Sequence, residues 1–173
     1  MRIAIEEAFD GIHAGHGGPF GSVIVRDGEI IGRGHNRVLV NHDPTCHGEV
    51  AAIRDAGEWL GTHDLSGCEL YTTGEPCPMC LCACMWANID KVYYGCSIEE
   101  NADIGFRDER FDRMLGGRRS DELNRIGEGM DDITNQNTDE NSGENYRMYL
   151  EQIDHEACRQ LFLEYNRIEH TLY

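Results

Sequence analysis

Cys46-His47-Gly48-Glu49 and Pro76-Cys77-Pro78-Met79-Cys80 are the two stretches that decide how this chain is interpreted. One His and two Cys are enough to hold a zinc ion tetrahedrally while the fourth position stays open to water. A Glu two residues after the His is then placed to move protons to and from that water. The sequence therefore predicts one catalytic zinc per chain, held by His47, Cys77 and Cys80, with Glu49 as the proton shuttle.

Both stretches are expected to lie where helices begin. Pro78 suits the first turn of a helix, because its missing N–H would have no partner there. Cys77 and Cys80 then lie at a helix N-terminus, where the helix dipole and free N–H groups favour the thiolate that a metal needs. A second helix is predicted to begin near His47. The residues that recur there at helical spacing are Val50, Ile53, Gly57 and Leu60.

The motif Cys77-x-x-Cys80 is also compatible with two different kinds of site. A thioredoxin-like redox pair would leave the nearby His and Glu unexplained. A closed structural zinc site, as in a zinc-stabilised interaction module, would need a fourth protein ligand and would not need the Glu. Such sites usually pair two C-x-x-C motifs, and this sequence has one. The candidates for a fourth ligand are Cys46, Cys82 and Cys84.

The charge of the chain is strongly acidic. Its 173 residues contain 32 acidic and 15 basic side chains, which gives a formal net charge of −17, and Lys91 is the only lysine. Such a surface repels phosphate backbones, so no nucleic acid partner is expected. An acid-rich, lysine-poor composition also suits a salt-loaded, halophilic cytoplasm, where charges are screened within about 3 Å at 1 M salt. An ordinary acidic enzyme is the alternative.

The predicted fold class is α/β, a three-layer α/β/α sandwich with a five-stranded mixed sheet. The turn signal Asp27-Gly28 separates two strands of a hairpin, and the later alternation of strands and helices favours crossover connections. The whole chain, 1–173, is interpreted as one domain, with a polar acidic insertion at about 116–145 and a C-terminal helix at about 155–168. The predicted strands are Ser22–Val25, Glu29–Gly34, Glu69–Thr73, Lys91–Gly95 and an edge strand, Tyr146–Ile153.

Neither a secretory segment nor a membrane span is expected. The opening Met1-Arg2-Ile3-Ala4-Ile5-Glu6-Glu7 has acids where a signal peptide would have its apolar core. The longest uncharged run, Pro76–Ile89, is too short to cross a bilayer. We therefore expect a cytoplasmic protein with reduced cysteines and no membrane partner. Five histidines show no spacing typical of a second metal and are expected at the surface: His13, His16, His35, His42 and His63.

The paired motif H-x-E…P-C-x-x-C is that of zinc-dependent nucleobase deaminases, and the chain resembles the cytidine-deaminase superfamily. Within it, the chain is most similar to the guanine-deaminase branch, from about Gly17 to Asp108 and again at the C-terminus. Besides the metal motifs, the resemblance is carried by Gly17-Gly18-Pro19-Phe20-Gly21, His35-Asn36, Asp43-Pro44-Thr45, Ile104-Gly105-Phe106-Arg107-Asp108 and Tyr173.

The resemblance implies four further roles and a reaction. Asn36 would bind the edge of the base, Phe20 would pack against its ring, Asp108 would transfer protons at the amino group, and Tyr173 would close over the substrate. It also implies a homodimer that exchanges its C-terminal segments, so that Tyr173 could serve the partner's site. The small-molecule substrate would be guanine, which hydrolytic deamination converts to xanthine and ammonia.

Two departures keep other substrates open. Members of this branch usually have Ala where this chain has Cys46 and Gly48, and a Gly beside the metal-binding His, like the strand Leu70-Tyr71-Thr72-Thr73, resembles fungal-type cytosine deaminases. Cytosine, another small amino-heterocycle or guanosine would fit the same chemistry. Deamination of adenosine in tRNA uses the same motifs, but the net charge argues against a polyanionic substrate.

Overall fold

The protein is built around a five-stranded mixed sheet, as the sequence predicts. A computed structural model describes residues 1–89, 91–115 and 148–173. The strand order is β2-β1-β3-β4-β5. β1 pairs antiparallel with β2 and with β3, whereas β3, β4 and β5 run parallel. The strands are β1 (Gly21–Arg26), β2 (Glu29–His35), β3 (Glu69–Gly74), β4 (Lys91–Cys96) and β5 (Tyr149–Gln152).

Helices cover both faces of the sheet and complete the three layers. α3 packs on β1, β2 and β3 and contacts α4, while α1 packs on β1 to β3 and contacts α7, which lies on β4. Parallel strands buried on both faces need such crossover helices. The helices are α1 (Arg2–His13), α2 (Val38–Asn41), α3 (Gly48–Leu60), α4 (Pro78–Trp86), α5 (Ile98–Asp103), α6 (Asp108–Met114) and α7 (His155–Tyr165).

Each face of the sheet has its own apolar core. The α3 and α4 side is built mainly from aliphatic and small residues, and the α1 and α7 side mainly from aromatic ones. The first core contains Ile24, Ile31, Ala52, Ala56, Leu65, Leu70, Cys84, Ile89 and Val92. The second contains Ala8, Ile12, Phe20, Ile104, Phe106, Cys158, Leu161, Phe162 and Tyr165.

The predicted hairpin between β1 and β2 is confirmed. Asp27 and Gly28 both have positive φ, 52° and 80°, which is the conformation that a two-residue type I′ turn requires. Its twist matches that of the flanking strands, and the turn sets the pairing beside it, in which Val25 lies opposite Ile30. A register shift between Ile24 and Val25 then brings Ser22 opposite Gly34, and β2 ends at His35.

α3 begins where the sequence predicts, but its buried face differs from the predicted stripe. Ala52 and Ala56 are fully buried, whereas Val50, Ile53 and Leu60 are only half-buried. The reason is a very close approach of α3 to β2. A Cβ on Gly32 or Gly34 would lie 2.5 Å from the backbone of Ala52, so only small residues fit between helix and strand.

The C-terminal predictions are confirmed with shorter bounds. The edge strand spans Tyr149–Gln152, and α7 ends at Tyr165 instead of Ile168. The predicted insertion at about 116–145 lies outside the described residues. Among the helices of the described ranges, none is long and apolar enough to cross a membrane.

Candidate active site

The predicted metal ligands converge where two helices begin. His47 is the N-cap residue of α3 and Cys77 that of α4, and Pro78 opens α4 as expected. Cys80 lies in the first turn of α4, so its thiol turns back towards Cys77. One donor atom from each of His47, Cys77 and Cys80 lies within 4.8 Å of the other two. The Nδ1 atom of His47 is 3.7 Å from Cys77 Sγ.

The electrostatics of these three side chains suit a cation. A hydrogen bond from Cys80 and the nearby His47 lower the pKa of Cys77 to about 4, against the opposing effect of burial. Burial lowers the pKa of His47, but the hydrogen bond and charge of Cys77 and the charge of Glu49 together raise it to about 9. Protons are thus shared among the donor atoms of these three side chains, and a zinc ion bound there would replace those protons. Two sulfurs and one imidazole nitrogen, all buried or half-buried, are ligands that Zn²⁺ prefers.

The arrangement favours an open metal site over a closed one. Of the described residues, His47, Cys77 and Cys80 alone form a cluster with metal-binding spacing. Cys46 Sγ accepts a hydrogen bond from Asn41 Nδ2 at 3.2 Å, and Cys82 is exposed. Cys84 is fully buried, and burial raises the pKa of its thiol. None of these three candidates for a fourth ligand takes part in the cluster.

Glu49 lies directly beside the cluster without belonging to it. It occupies the first turn of α3 and is only 5% exposed. Burial, followed by the negative charge of Cys77, raises the pKa of Glu49 to about 7. A carboxyl group whose pKa lies near neutral pH both accepts and donates protons readily, as a proton shuttle must. A bound cation would shift this pKa downwards, because it would stabilise the carboxylate.

A cavity of about 480 Å³ opens over the cluster. Its size falls within the range of small-molecule sites. Four residues of the predicted site line this cavity: His47, Cys77, Asp108 and Tyr173. The remaining wall is mostly apolar and could not be predicted from a local pattern, because it combines residues from three separate segments of the chain. These further lining residues are Pro44, Pro78, Met79, Phe106, Arg107, Phe111, Met114 and Leu115.

Asp108 is held in place from behind. It is the first residue of α6, and its carboxylate accepts a hydrogen bond from Asn101 Nδ2 at 3.2 Å. The same amide group donates to the carbonyl oxygen of Glu75, also at 3.2 Å. Asn101 is 1% exposed, so it fixes the Asp108 carboxylate from the protein side at the border of the cavity.

Asn36 and Tyr173 meet at the end of β2. The Tyr173 hydroxyl donates to Asn36 Oδ1 at 2.5 Å and accepts a hydrogen bond from the Gly18 amide at 3.1 Å. Asn36 Oδ1 also accepts from the Val38 amide at 3.2 Å. The Tyr173 ring packs edge-on against Phe106, with centroids 5.6 Å apart. Within one chain, the C-terminal residue therefore reaches the chain's own cavity.

Phe20 belongs to the aromatic core behind the cavity. It is 8% exposed and packs edge-on against Phe106 and Phe162, with centroids 4.7 and 5.7 Å apart. Among the described residues that line the cavity, Phe106 supplies the aromatic ring on this side. The substrate contact expected of Phe20 stays a prediction.

Comparison with known proteins shows which family this chain belongs to. The model of the cytidine and deoxycytidylate deaminase zinc-binding region matches residues 1–96. The chain is 49% identical to guanine deaminase of Bacillus subtilis over 108 residues, which cover 62% of this chain and 69% of that protein. It is 44% identical over 94 residues to the tRNA-specific adenosine deaminase of Aquifex aeolicus, covering 54% of this chain and 62% of that protein.

Solved structures agree with the fold. The crystal structure of the Bacillus subtilis guanine deaminase superposes with a TM-score of 0.64 at 44% identity, covering 69% of this chain and 76% of that one. A guanine deaminase from Nitrosomonas europaea superposes with a TM-score of 0.73 over 96% of this chain and 82% of its own, at 24% identity, which supports the fold alone.

An α/β/α sandwich with three residues that could hold zinc at two helix N-termini, and a buried Glu beside them, defines a zinc-dependent hydrolytic deaminase. The chain belongs to the cytidine and deoxycytidylate deaminase zinc-binding family.

Proposed function

We propose that the protein hydrolyses guanine to xanthine and ammonia. The observation that carries this proposal is the convergence of Asp108 and Tyr173 with the metal cluster at one cavity. These are two of the four residues to which the resemblance to the guanine-deaminase branch assigns substrate roles. The identity to the Bacillus subtilis guanine deaminase supports the same substrate.

The residues of the chain divide the work as follows. Zinc, when bound by His47, Cys77 and Cys80, supplies the Lewis acidity that activates water at neutral pH. Glu49 takes a proton from the attacking water and delivers it to a ring nitrogen as the oxygen bonds to C2. Asp108 and Glu49 then transfer the proton of the new C2 hydroxyl to the 2-amino group, so that C2 becomes a carbonyl, the C2–N bond breaks and ammonia leaves. One water is consumed, and xanthine and ammonia are the products.

The apolar wall and Tyr173 hold the planar base and exclude bulk water. A low-dielectric surrounding strengthens the interactions of Glu49 and Asp108 with the charge that develops during attack. Asn36, 1% exposed at the end of β2, offers its amide to the edge of the base. Its present hydrogen bond with Tyr173 links base recognition to closure of the site.

The direct test is release of ammonia from guanine, guanosine, cytosine and adenine by the zinc-loaded protein, with the product identified by ultraviolet absorbance. We expect guanine to give the highest kcat/KM and xanthine as product. Faster hydrolysis of cytosine would move the assignment to the cytosine-type alternative. Asp108→Asn further distinguishes the guanine assignment from the cytosine assignment, because it should lower the turnover of guanine more than the turnover of a pyrimidine.

Adenosine in tRNA is the second candidate, because tRNA-specific adenosine deaminases are among the similar proteins. The net charge of −17 disfavours it, since binding a polyanion requires neutralising several phosphates. Formation of inosine in an anticodon stem-loop, measured beside guanine turnover at the same enzyme concentration, decides between the two substrates.

We further propose that the protein is a homodimer that exchanges its C-terminal segments. α7 buries Cys158, Leu161, Phe162 and Tyr165 against the body of the protein. Exchange would preserve these contacts, because an identical helix would occupy the same place, and it is a low-cost route to a C₂ dimer. Tyr173 would then close the partner's cavity.

Mixed refolding tests the exchange. Glu49→Gln and a chain lacking Tyr173 are each expected to be impaired, and unfolding them together and refolding the mixture should restore part of the activity. A mixture that stays as inactive as the two variants alone, while wild-type protein refolds well, would show that Tyr173 serves its own chain. Refolded Glu49→Gln mixed with wild type is the matched control for subunit exchange.

The acidic composition and the free thiols support two proposals about environment. All eight cysteines are unpaired, as a reducing cytoplasm would keep them. The excess of acids over bases supports adaptation to high salt, where self-repulsion is screened.

A further inference from the structure

Two histidines expected at the surface are half-buried and joined to each other. His16 Nδ1 lies 2.9 Å from His35 Nε2, and the two rings are stacked at 17° with centroids 5.1 Å apart. The other nitrogen of His35 contacts Glu7 Oε2 at 3.2 Å, where both side chains are less than one-fifth exposed. Arg37 Nη1 is 3.4 Å from His16 Nδ1. Glu7, His35, His16 and Arg37 therefore form one hydrogen-bonded chain, which we call the histidine relay.

Glu7 and Arg37, at the two ends of the histidine relay, determine the direction in which its hydrogen bonds are donated. A guanidinium only donates hydrogen bonds, and an ionised carboxylate only accepts them. His35 must therefore donate from Nδ1 to Glu7, while Arg37 calls for a lone pair on His16 Nδ1. Both conditions hold when His35 carries two protons and donates from Nε2 to His16. With one proton fewer, His16 Nδ1 donates to His35 Nε2 instead, so the contact between the two rings is kept while Arg37 loses its acceptor.

The histidine relay is built into the fold. The ring of His35 rests against α1 at Gly11, where an added Cβ would lie 2.7 Å from its Cδ2 atom. The His16 amide donates to the Gly11 carbonyl at 2.9 Å. The absence of a side chain at Gly11 therefore makes room for the pair, and α1 supplies both the space and the carboxylate of Glu7.

The histidine relay holds together the two segments that meet Tyr173. His16 leads into Gly17 and Gly18, and the Gly18 amide donates to the Tyr173 hydroxyl. His35 precedes Asn36, which accepts from that same hydroxyl. A ring of contacts thus runs from His16 through Gly18, Tyr173 and Asn36 to His35, and the bond between the two imidazoles closes it.

We propose that His16 and His35 are positioning residues, which hold Asn36 and the Gly18 amide in the arrangement that receives Tyr173 and the base. The inference rests on the proposed substrate-binding roles of Asn36 and Tyr173. Neither histidine is among the described residues that line the cavity, so the pair acts through these neighbours.

The histidine relay also makes this arrangement sensitive to acid. Burial, the charge of Arg37 and the charge of His35 lower the pKa of His16 below its ordinary value of 6.5. If both rings carry two protons, two N–H groups face each other and the contact opens. The groups that face the pair are Glu7 from α1 and Arg37 from the segment after β2. The contact between the two rings is therefore kept while His16 is neutral and weakens as the pH falls through the lowered pKa of His16.

His35→Ala and His35→Gln separate positioning from bulk stability. Alanine removes both hydrogen bonds of His35. Glutamine keeps a donor for Glu7 and an acceptor for His16, and its acceptor tolerates a protonated His16. His155→Ala is the matched control, since His155 also contacts a carboxylate, Glu100 Oε1 at 2.7 Å, on a different part of the surface.

Two readouts decide the inference. Hydrogen exchange at the Gly18 amide, which needs no substrate, should speed up about tenfold or more in His35→Ala and stay unchanged in His155→Ala. KM for whichever base the parent enzyme hydrolyses fastest should rise by a similar factor in His35→Ala, with zinc content retained and kcat less affected. His35→Gln should restore both values at pH 7 and remove their deterioration between pH 7 and pH 5.

The opposite results overturn the inference. Gly18 exchange within twofold of wild type in His35→Ala would show that the histidines do not hold the Tyr173 anchor. Equal effects of His35→Ala and His155→Ala would reduce the histidine relay to general stability. Failure of the enzyme to deaminate any base would refute the proposed function alone, because Gly18 exchange would still decide the role of the histidines.

Discussion

Replacement of Gly17 by Ala tests whether the position of Asn36 controls turnover. A Cβ on Gly17 would lie 2.1 Å from Asn36 Oδ1 and 3.1 Å from the Asn36 carbonyl oxygen. Real contacts of this kind stay above 3.0 Å, so the amide must move by about 1 Å. Asn36 is 1% exposed and has little free space, and its Oδ1 would lose its hydrogen bonds with Val38 and Tyr173.

A displacement of about 1 Å in a substrate-positioning group can cost about 10²-fold in rate. We therefore expect kcat/KM of Gly17→Ala for guanine to fall by about that factor, with zinc content and the thermal transition retained. The assay is steady-state ammonia release, accompanied by metal analysis and a thermal melt of the same preparation.

Gly57→Ala is the matched control for Gly17→Ala. Gly57 lies in α3, and a Cβ there would be 3.1 Å from the Thr62 carbonyl oxygen in an exposed stretch, which can yield by a few tenths of an ångström. It should leave kcat/KM unchanged and stabilise the helix by about 0.5–1 kcal/mol. The reasoning is refuted if Gly17→Ala keeps kcat/KM within threefold of wild type, or if it loses activity together with zinc and the folded state.

Three further predictions concern Asp108, salt and acid. Asp108→Ala should lower guanine turnover by about 10²-fold or more, as is usual when an acid–base group is removed, and zinc content should stay at one per chain; unchanged turnover would remove Asp108 from the mechanism. The melting temperature should rise steeply between dilute buffer and molar KCl, because self-repulsion extends over about 30 Å at 0.01 M salt; a flat response would contradict adaptation to high salt. Glu100 completes a capping box with Ser97, and its Oε1 lies 2.7 Å from His155 Nε2. Burial raises the pKa of Glu100, but these hydrogen bonds lower it by more. A lowered pKa of Glu100 stabilises the folded state at pH values above the ordinary pKa of 4.5, and this contribution is lost as the pH falls through the pKa of the folded state. The melting temperature of wild type should therefore fall more steeply than that of Glu100→Gln below about pH 4.5. Parallel plots of melting temperature against pH would refute this.

The strands and the metal ligands could be predicted because their signals are local. A type I′ turn at Asp27-Gly28 fixes the hairpin, and Pro78 fixes the start of α4, both through backbone conformation alone. The ligands lie at the N-termini of α3 and α4, two helices that contact each other on the same face of the sheet. Such features depend on few residues and little on the rest of the fold.

The buried face of α3 and the wall of the cavity depend on packing between distant segments. Periodicity gives weight to large apolar residues, yet α3 buries Ala52 and Ala56 because Gly32 and Gly34 bring β2 within contact of the helix backbone. Phe106 lines the cavity because the chain folds back after α5 and brings α6 into contact with α4. His16 and His35 meet across 19 positions of sequence, and neither residue carries a local signal of burial.

Glu49→Gln gives the most direct test of zinc-dependent deamination with Glu49 as the proton shuttle. The substitution keeps the size and burial of the side chain but removes its ability to take a proton. Metal content and xanthine formation from guanine should be measured on the same wild-type and variant preparations. We predict about one zinc per chain in both proteins and a loss of turnover of at least about 10²-fold in the variant. Retained turnover in Glu49→Gln, or loss of zinc together with activity, would contradict the assignment.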